Sequence, residues 1–202
     1  MRAISRPVSR IAGSVRAPGD KSCSHRAVMM AAVAAGESTV TGLLEGEDVL
    51  NTARAVKALG AGVERTGPGA WTIMGVGARG FSSPQGDLDF GNSGTGARLM
   101  MGLVGGHDVH ARFIGDASLS SRPMERVLKP LREMGVVAET SPGGKLPAVI
   151  RGGNLKAIRY APPEASAQVK SAIMLAGLRA DGVTVVEEKE ATRDHTERML
   201  RA

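Results

Sequence analysis

Apolar positions fall into three comparable blocks along the chain. Each block opens with a small-residue loop and runs into an apolar stretch: Ala27 to Ala35, Leu99 to Val104, and Ala172 to Leu178. Such runs, Ala- and Leu-rich and bounded by small residues, predict packed helices. Short β-branched runs follow them at Ser38–Thr41, Val109–Ile114 and Val183–Val186 and predict strands. A second helix is predicted at Asp48–Leu59, where Val49, Ala53, Val56 and Leu59 share one face before Gly60. Its counterpart is Arg122–Met134, closed by Gly135. Further strands are predicted at Ala70–Met74 and Ala148–Ile150, and Val8–Arg16 reads as a strand leading into Pro18.

The blocks repeat. Ser22, Gly94 and Ser166 open the three leading helices at a constant interval of 72 residues, and Arg26, Arg98 and Lys170 follow four residues later in each. The unit is helix, strand, helix, strand, strand, entered from a preceding strand. Three copies would pack helices together in a core and set sheets outside them. By analogy with Gly60 and Gly135, the second helix of the third copy, from Arg193 onward, is expected to meet a glycine beyond Ala202. The third unit is therefore expected to be cut short.

Composition narrows the function classes. The 202 residues carry a net charge of +6, with 42% hydrophobic residues but only three Phe, one Trp and one Tyr. A basic chain favours an anionic partner. Nucleic acid fits poorly, because single-strand binders use aromatic stacking platforms and the cations here are dispersed. Small phosphorylated or carboxylated metabolites fit better. No apolar run approaches the roughly 20 residues of a membrane-spanning helix. One cysteine, Cys23, excludes an internal disulfide framework. Residues 1–15 carry Arg and Ser without acids, a faint transit-peptide pattern, but the cytoplasm is the default expectation.

Candidate chemistry lies at the helix starts. A helix N-terminus offers unpaired N–H groups and the positive end of the macrodipole, a ready anion site. Lys21, Arg26, Arg98, Arg122, Lys170 and Arg193 all lie at or within a turn of such starts, and together would focus positive potential. Arg98 and Lys170, one turn inside, have structural pairing as an equal alternative. Gly19-Asp20-Lys21-Ser22 resembles the end of a P-loop, but Asp20 and Val15 stand where that motif needs glycine. His25 and His195 have no catalytic or metal-ligand spacing, and Cys23 is expected to be a buried small residue. Glu45, Glu47 and Asp48 read as an acidic cluster at a helix start.

The residues match a known family. Pro18-Gly19-Asp20-Lys21-Ser22-Cys23-Ser24-His25-Arg26 resembles the N-terminal signature of the 5-enolpyruvylshikimate-3-phosphate synthases. So do Gly91-Asn92-Ser93-Gly94-Thr95-Gly96-Ala97-Arg98, Gly115-Asp116-Ala117-Ser118-Leu119 with Arg122-Pro123-Met124, and Ser166-Ala167-Gln168-Val169-Lys170. Arg193-Asp194-His195-Thr196-Glu197 is similar to the bacterial class II branch. The likeness runs in order from about Ser9 to the end.

The resemblance implies an α/β (α+β) enolpyruvyl-transferase fold: three pseudo-threefold βαβαββ units with helices inside and sheets outside, the third unit truncated. It divides the chain into an N-terminal segment, 1–13, that would contact a second domain, and an incomplete N-terminal transferase domain, 14–202. It implies transfer of the enolpyruvyl group of phosphoenolpyruvate to the 5-hydroxyl of shikimate 3-phosphate, in aromatic amino-acid biosynthesis, by an enzyme that glyphosate targets. Carried over by position, Lys21, Ser22, Arg26, Ser166, Ala167, Gln168 and Arg193 would bind shikimate 3-phosphate. Lys21, Gly94, Arg122 and Gln168 would bind phosphoenolpyruvate. No metal or organic cofactor is implied, the proton-transfer acids are expected outside this segment, and the full-length protein is expected to be a monomer. Two alternatives stay open: a UDP-N-acetylglucosamine enolpyruvyl transferase, and a non-catalytic anion- or RNA-binding module on a related fold.

Overall fold

The computed structural model describes residues 3–202. The first unit comprises α1 (Lys21–Val33), β1 (Ala35–Val40), α2 (Glu47–Ala58), β2 (Gly62–Gly67) and β3 (Ala70–Val76). The second comprises β4 (Leu88–Asp89), α3 (Gly94–Gly105), β5 (His110–Ile114), a short α4 (Ala117–Ser120), α5 (Glu125–Met134), β6 (Val137–Ser141) and β7 (Lys145–Arg151). The third has β8 (Leu155–Lys156), β9 (Arg159–Tyr160), α6 (Ala167–Gly177), β10 (Ala180–Asp181), β11 (Val185–Val186) and α7 (His195–Arg201).

The leading helices α1, α3 and α6 form the interior. Eleven of the twelve residues of α3 are buried, so it is enclosed on every face, as a central helix must be, and only its N-terminal turns carry polar side chains. Gly102 lets α3 meet α6 backbone to backbone, since a Cβ there would lie 2.2 Å from the Ala172 carbonyl oxygen. The sheets lie outside, in the order β1-β3-β2 and β4-β5-β7-β6. Along β3 and β7 buried residues alternate with more exposed ones, such as Trp71 and Ile73 or Ala148 and Ile150; this is the period of a sheet packed on one face. The strands before α3 and α6 run parallel to those after them: β4 with β5, β8 with β10, β9 with β11.

Glycine ends α2 and α5 as expected, with Gly60 at φ 103° and Gly135 at φ 116°. Other expectations need correction. Residues 8–16 form no strand; Val8, Ile11 and Val15 are exposed. A strand needs a neighbour for its N–H and C=O groups, and among the described residues β1 pairs only with β3. Met1 and Arg2 of the expected N-terminal segment lie outside the described residues. The helix expected from Arg122 starts at Glu125 instead, because the residue before Pro123 is steered away from helical angles.

The repeat is one residue longer than the cation spacing implied. Asp20, Ser93 and Ser166 cap the three helices, each accepting from the amide three residues on, and they are 73 residues apart. Counted from these caps, the residues equivalent to Arg98 are His25 and Ser171. The cations are thus not strict equivalents, and each makes a different set of bonds.

Candidate anion-binding site

The three capped N-termini converge at one end of the helical core. At α1, Asp20 Oδ1 takes the Cys23 amide at 2.7 Å, which holds its carboxyl below the ordinary aspartate value. Lys21 extends from this turn, half exposed, into an ion pair with Asp48 at the start of α2. Ser22 is partly buried and its carbonyl accepts from Arg26 Nη1 at 3.0 Å.

Arg26 is buried, with Nε donating to Thr196 Oγ1 (2.7 Å) and Nη2 to Ser171 Oγ (2.8 Å). All its acceptors are neutral, and burial pulls the guanidinium below its ordinary value. The expectation that Arg26 forms part of an open positive pocket is therefore corrected: it bolts α1 to α6 and to the first turn of α7. Arg193, just before α7, is exposed.

At α3, Ser93 Oγ accepts from the Gly96 amide at 3.1 Å. Two guanidiniums meet beside Gly94: its Cβ, if present, would lie 3.0 Å from Arg98 Nη1 and 3.3 Å from Arg122 Nη1. Arg122 Nη2 donates to Asn92 Oδ1 (2.7 Å) and Ser118 Oγ (2.9 Å). Asn92 is oriented in turn by Asp116 Oδ2 at 2.8 Å. Asp116 is held below the usual aspartate range by the Leu119 amide and by Asn92.

Arg98 donates to Gln168 Oε1 (3.1 Å) and the Pro123 carbonyl (3.2 Å). Gln168 Nε2 donates to Thr95 Oγ1 at 3.0 Å, so the amide of α6 is locked between two residues of α3. Arg98 is 4% exposed, and its Nε has no partner among the described residues. Burial, then the charges of Arg126 and Arg122, push Arg98 down to about 10. Among the described residues neither Arg98 nor Arg122 has a carboxylate in ion-pair range. A buried Arg98 and a partly buried Arg122 that repel each other, neither in an ion pair, favour negative charge at this spot.

At α6, Ser166 caps the Val169 amide at 3.4 Å, while the first-turn amides of Ala167 and Gln168 have no acceptor within the helix. Gly94, Arg122 and Gln168 are thus drawn together through Arg98. Lys21 instead turns toward α2 through Asp48, and Arg26 toward α7, beside which Asp20, Cys23 and His195 have ligand atoms within 4.8 Å of one another. A cation would sit badly among those three, facing a helix N-terminus with Arg26 and Arg193 close by. Cys23 is partly exposed rather than buried, while His25 is fully buried and desolvation lowers its pKa to about 4. The acidic cluster divides: Glu45 binds Arg65 (2.7 Å) and Trp71 Nε1 (2.9 Å), and Asp48 faces Lys21.

Several contributors were not singled out from the sequence. Asn92, Asp116 and Ser118 orient Arg122, and Asp116 carried a readable signal as a cap followed three residues later by Leu119. Thr196 and Glu197 lie within the Arg193–Glu197 motif without a role of their own being readable, and Glu188 carried no signal, since their partners lie in α6 and α1.

A family model described as EPSP synthase (3-phosphoshikimate 1-carboxyvinyltransferase) matches residues 5–202. A 3-phosphoshikimate 1-carboxyvinyltransferase from Hyphomonas neptunium is 64% identical over 97% of this chain, and one from Rhodopseudomonas palustris is 60% identical over 93%. The chain spans 45% and 43% of those relatives' own lengths. A solved EPSP synthase from Acinetobacter baumannii is similar at a TM-score of 0.90 and 52% identity, over 94% of this chain and 43% of that one.

Proposed function

Since this chain belongs to the EPSP synthase family, we propose that it supplies the shikimate 3-phosphate grip and part of the phosphoenolpyruvate grip of a carboxyvinyl transferase. In the reaction the 5-hydroxyl oxygen of shikimate 3-phosphate bonds to C2 of phosphoenolpyruvate, the C2–O bond to phosphate breaks, and the hydroxyl's proton leaves with the released inorganic phosphate. Both reactants are polyanions, so bringing them together requires offsetting their repulsion and fixing their orientation.

The observation that carries this reading is the Arg98–Arg122 pair beside Gly94, in which neither guanidinium has a carboxylate in ion-pair range among the described residues. Arg122 and Gly94 would receive the phosphoenolpyruvate anion, with Gln168 and Lys21 bridging to it. Lys21, Ser22, Ser166, Ala167, Gln168 and Arg193 would hold shikimate 3-phosphate through ammonium, hydroxyl, amide and first-turn N–H groups. Arg26 would serve the same ligand chiefly by fixing α1 against α7. We assign this chain binding rather than proton transfer, acting in the cytoplasm on small molecules as part of a monomer. Exposed Ile4, Val8 and Ile11 suit residues 1–13 to contact with a second domain. Among the described residues no helix is long and apolar enough to cross a membrane.

Calorimetric titration with shikimate 3-phosphate, beside a phosphate-release assay with both substrates, tests the reading. Weak saturable binding without turnover is expected. Turnover by the chain alone would overturn the division of labour, and binding of a short RNA in preference to shikimate 3-phosphate would overturn the substrate class.

A further inference from the structure

The three buried cations one turn inside the leading helices differ in a way their spacing conceals. Arg26 and Arg98 touch only neutral acceptors. Lys170 meets two carboxylates, Glu188 Oε2 at 2.6 Å and Glu197 Oε1 at 2.5 Å, with its side chain 5% exposed. Glu188 also accepts from Thr192 Oγ1. Burial works against both charges, yet the mutual hydrogen bonds outweigh it: Lys170 is held above and Glu188 below its ordinary value. A lysine so fully matched has no positive charge to spare for a ligand.

Its geometry serves another purpose. Glu188 lies just beyond β11, Thr192 closes the loop on it, and Glu197 lies in the first turn of α7. Arg193 is the next residue after Thr192, and is thereby bracketed on both sides by groups tied to Lys170. On the same turn, Thr196 is bound by Arg26 and Ser171. The loop's own two-residue strand pairing is too short to fix it.

We propose that Lys170 is a positioning residue: it clamps the 188–197 segment to α6 and so aims the Arg193 guanidinium at the phosphate of shikimate 3-phosphate. This rests on the shikimate 3-phosphate reading above, and its test separates the two.

Hydrogen exchange of the 188–197 amides needs no ligand. Lys170→Met should accelerate it selectively while α1 and α3 stay protected. Stranding two glutamates is costly, so Lys170→Met/Glu188→Gln/Glu197→Gln provides a neutral variant that keeps the fold but not the clamp. In titrations with shikimate 3-phosphate, Lys170→Met and Arg193→Gln should each weaken binding about tenfold, and the double variant no more than either alone. Unchanged exchange across 188–194, or losses that multiply in the double variant, would overturn the clamp. Absence of any binding by the wild-type chain would sink the substrate reading, while the exchange result would still decide whether Lys170 holds the segment.

Discussion

Gly94 shows most directly how one residue shapes the site. An added methyl would crowd both Arg98 Nη1 and Arg122 Nη1, so Gly94→Ala should displace the guanidiniums proposed to receive the phosphoenolpyruvate anion. In an enzyme containing this domain it should weaken phosphoenolpyruvate and glyphosate about tenfold, leaving shikimate 3-phosphate nearly unaffected; equal losses for all three would reject this. His107 gives a pH prediction. Its Nδ1 accepts from the Phe81 amide at 3.1 Å, so the ring must stay neutral there, and desolvation takes its pKa from 6.5 to about 4. The unfolded chain then binds more protons between those values. Stability should be full above about pH 6.5 and fall toward pH 4 by up to about 1.4 kcal/mol per pH unit from this group. His25 adds a slope of the same sign. His107→Gln keeps an acceptor without the titration, so urea unfolding at pH 7 and pH 5 should show a smaller loss than in the wild type. At this scale the sequence exposed Lys21, Gly94, Arg122 and Gln168 through their motifs. It left structural pairing open for Lys170 without naming its partners and did not reveal that Arg26 faces inward, because Thr196, Ser171, Glu188 and Glu197 are remote or lie on another element.

Among elements, the packing of α3 on α6 sets how close their N-termini approach, and Gly102 sets that packing. Gly102→Ala drives a methyl into the Ala172 carbonyl, backbone that cannot step aside. It should cost about 1–3 kcal/mol and loosen the Gln168–Thr95 bond. Gly86→Ala, where a Cβ meets nothing within 4 Å, should lie within about 0.5 kcal/mol of the wild type. Equal urea midpoints for the two variants would contradict the packing account. Helices α1, α2, α3 and α6 were legible from apolar runs, cap residues and closing glycines. The two-residue strands β4, β8, β9 and β10 were not, since periodicity has no meaning over so short a run. The 72-residue interval was also misleading: it aligned cations, whereas the caps that start the helices recur every 73 residues.

Across the whole molecule, three capped helix starts lie at one end of the core, where the buried Arg26 and Arg98 have no carboxylate in ion-pair range among the described residues. That arrangement would account for the proposed anion-binding face on a chain of net charge +6 without a basic patch elsewhere being required. It also explains why the +6 alone was ambiguous between metabolite and nucleic acid. The most direct test follows backbone amide resonances as shikimate 3-phosphate is added to the chain. The account predicts saturable shifts concentrated at Lys21, Ser22, Ser166, Ala167 and Gln168, with Arg193 moving alongside. Shifts confined to the outer sheets, for example around Arg112 and Arg151, or no saturable shifts at all, would contradict it.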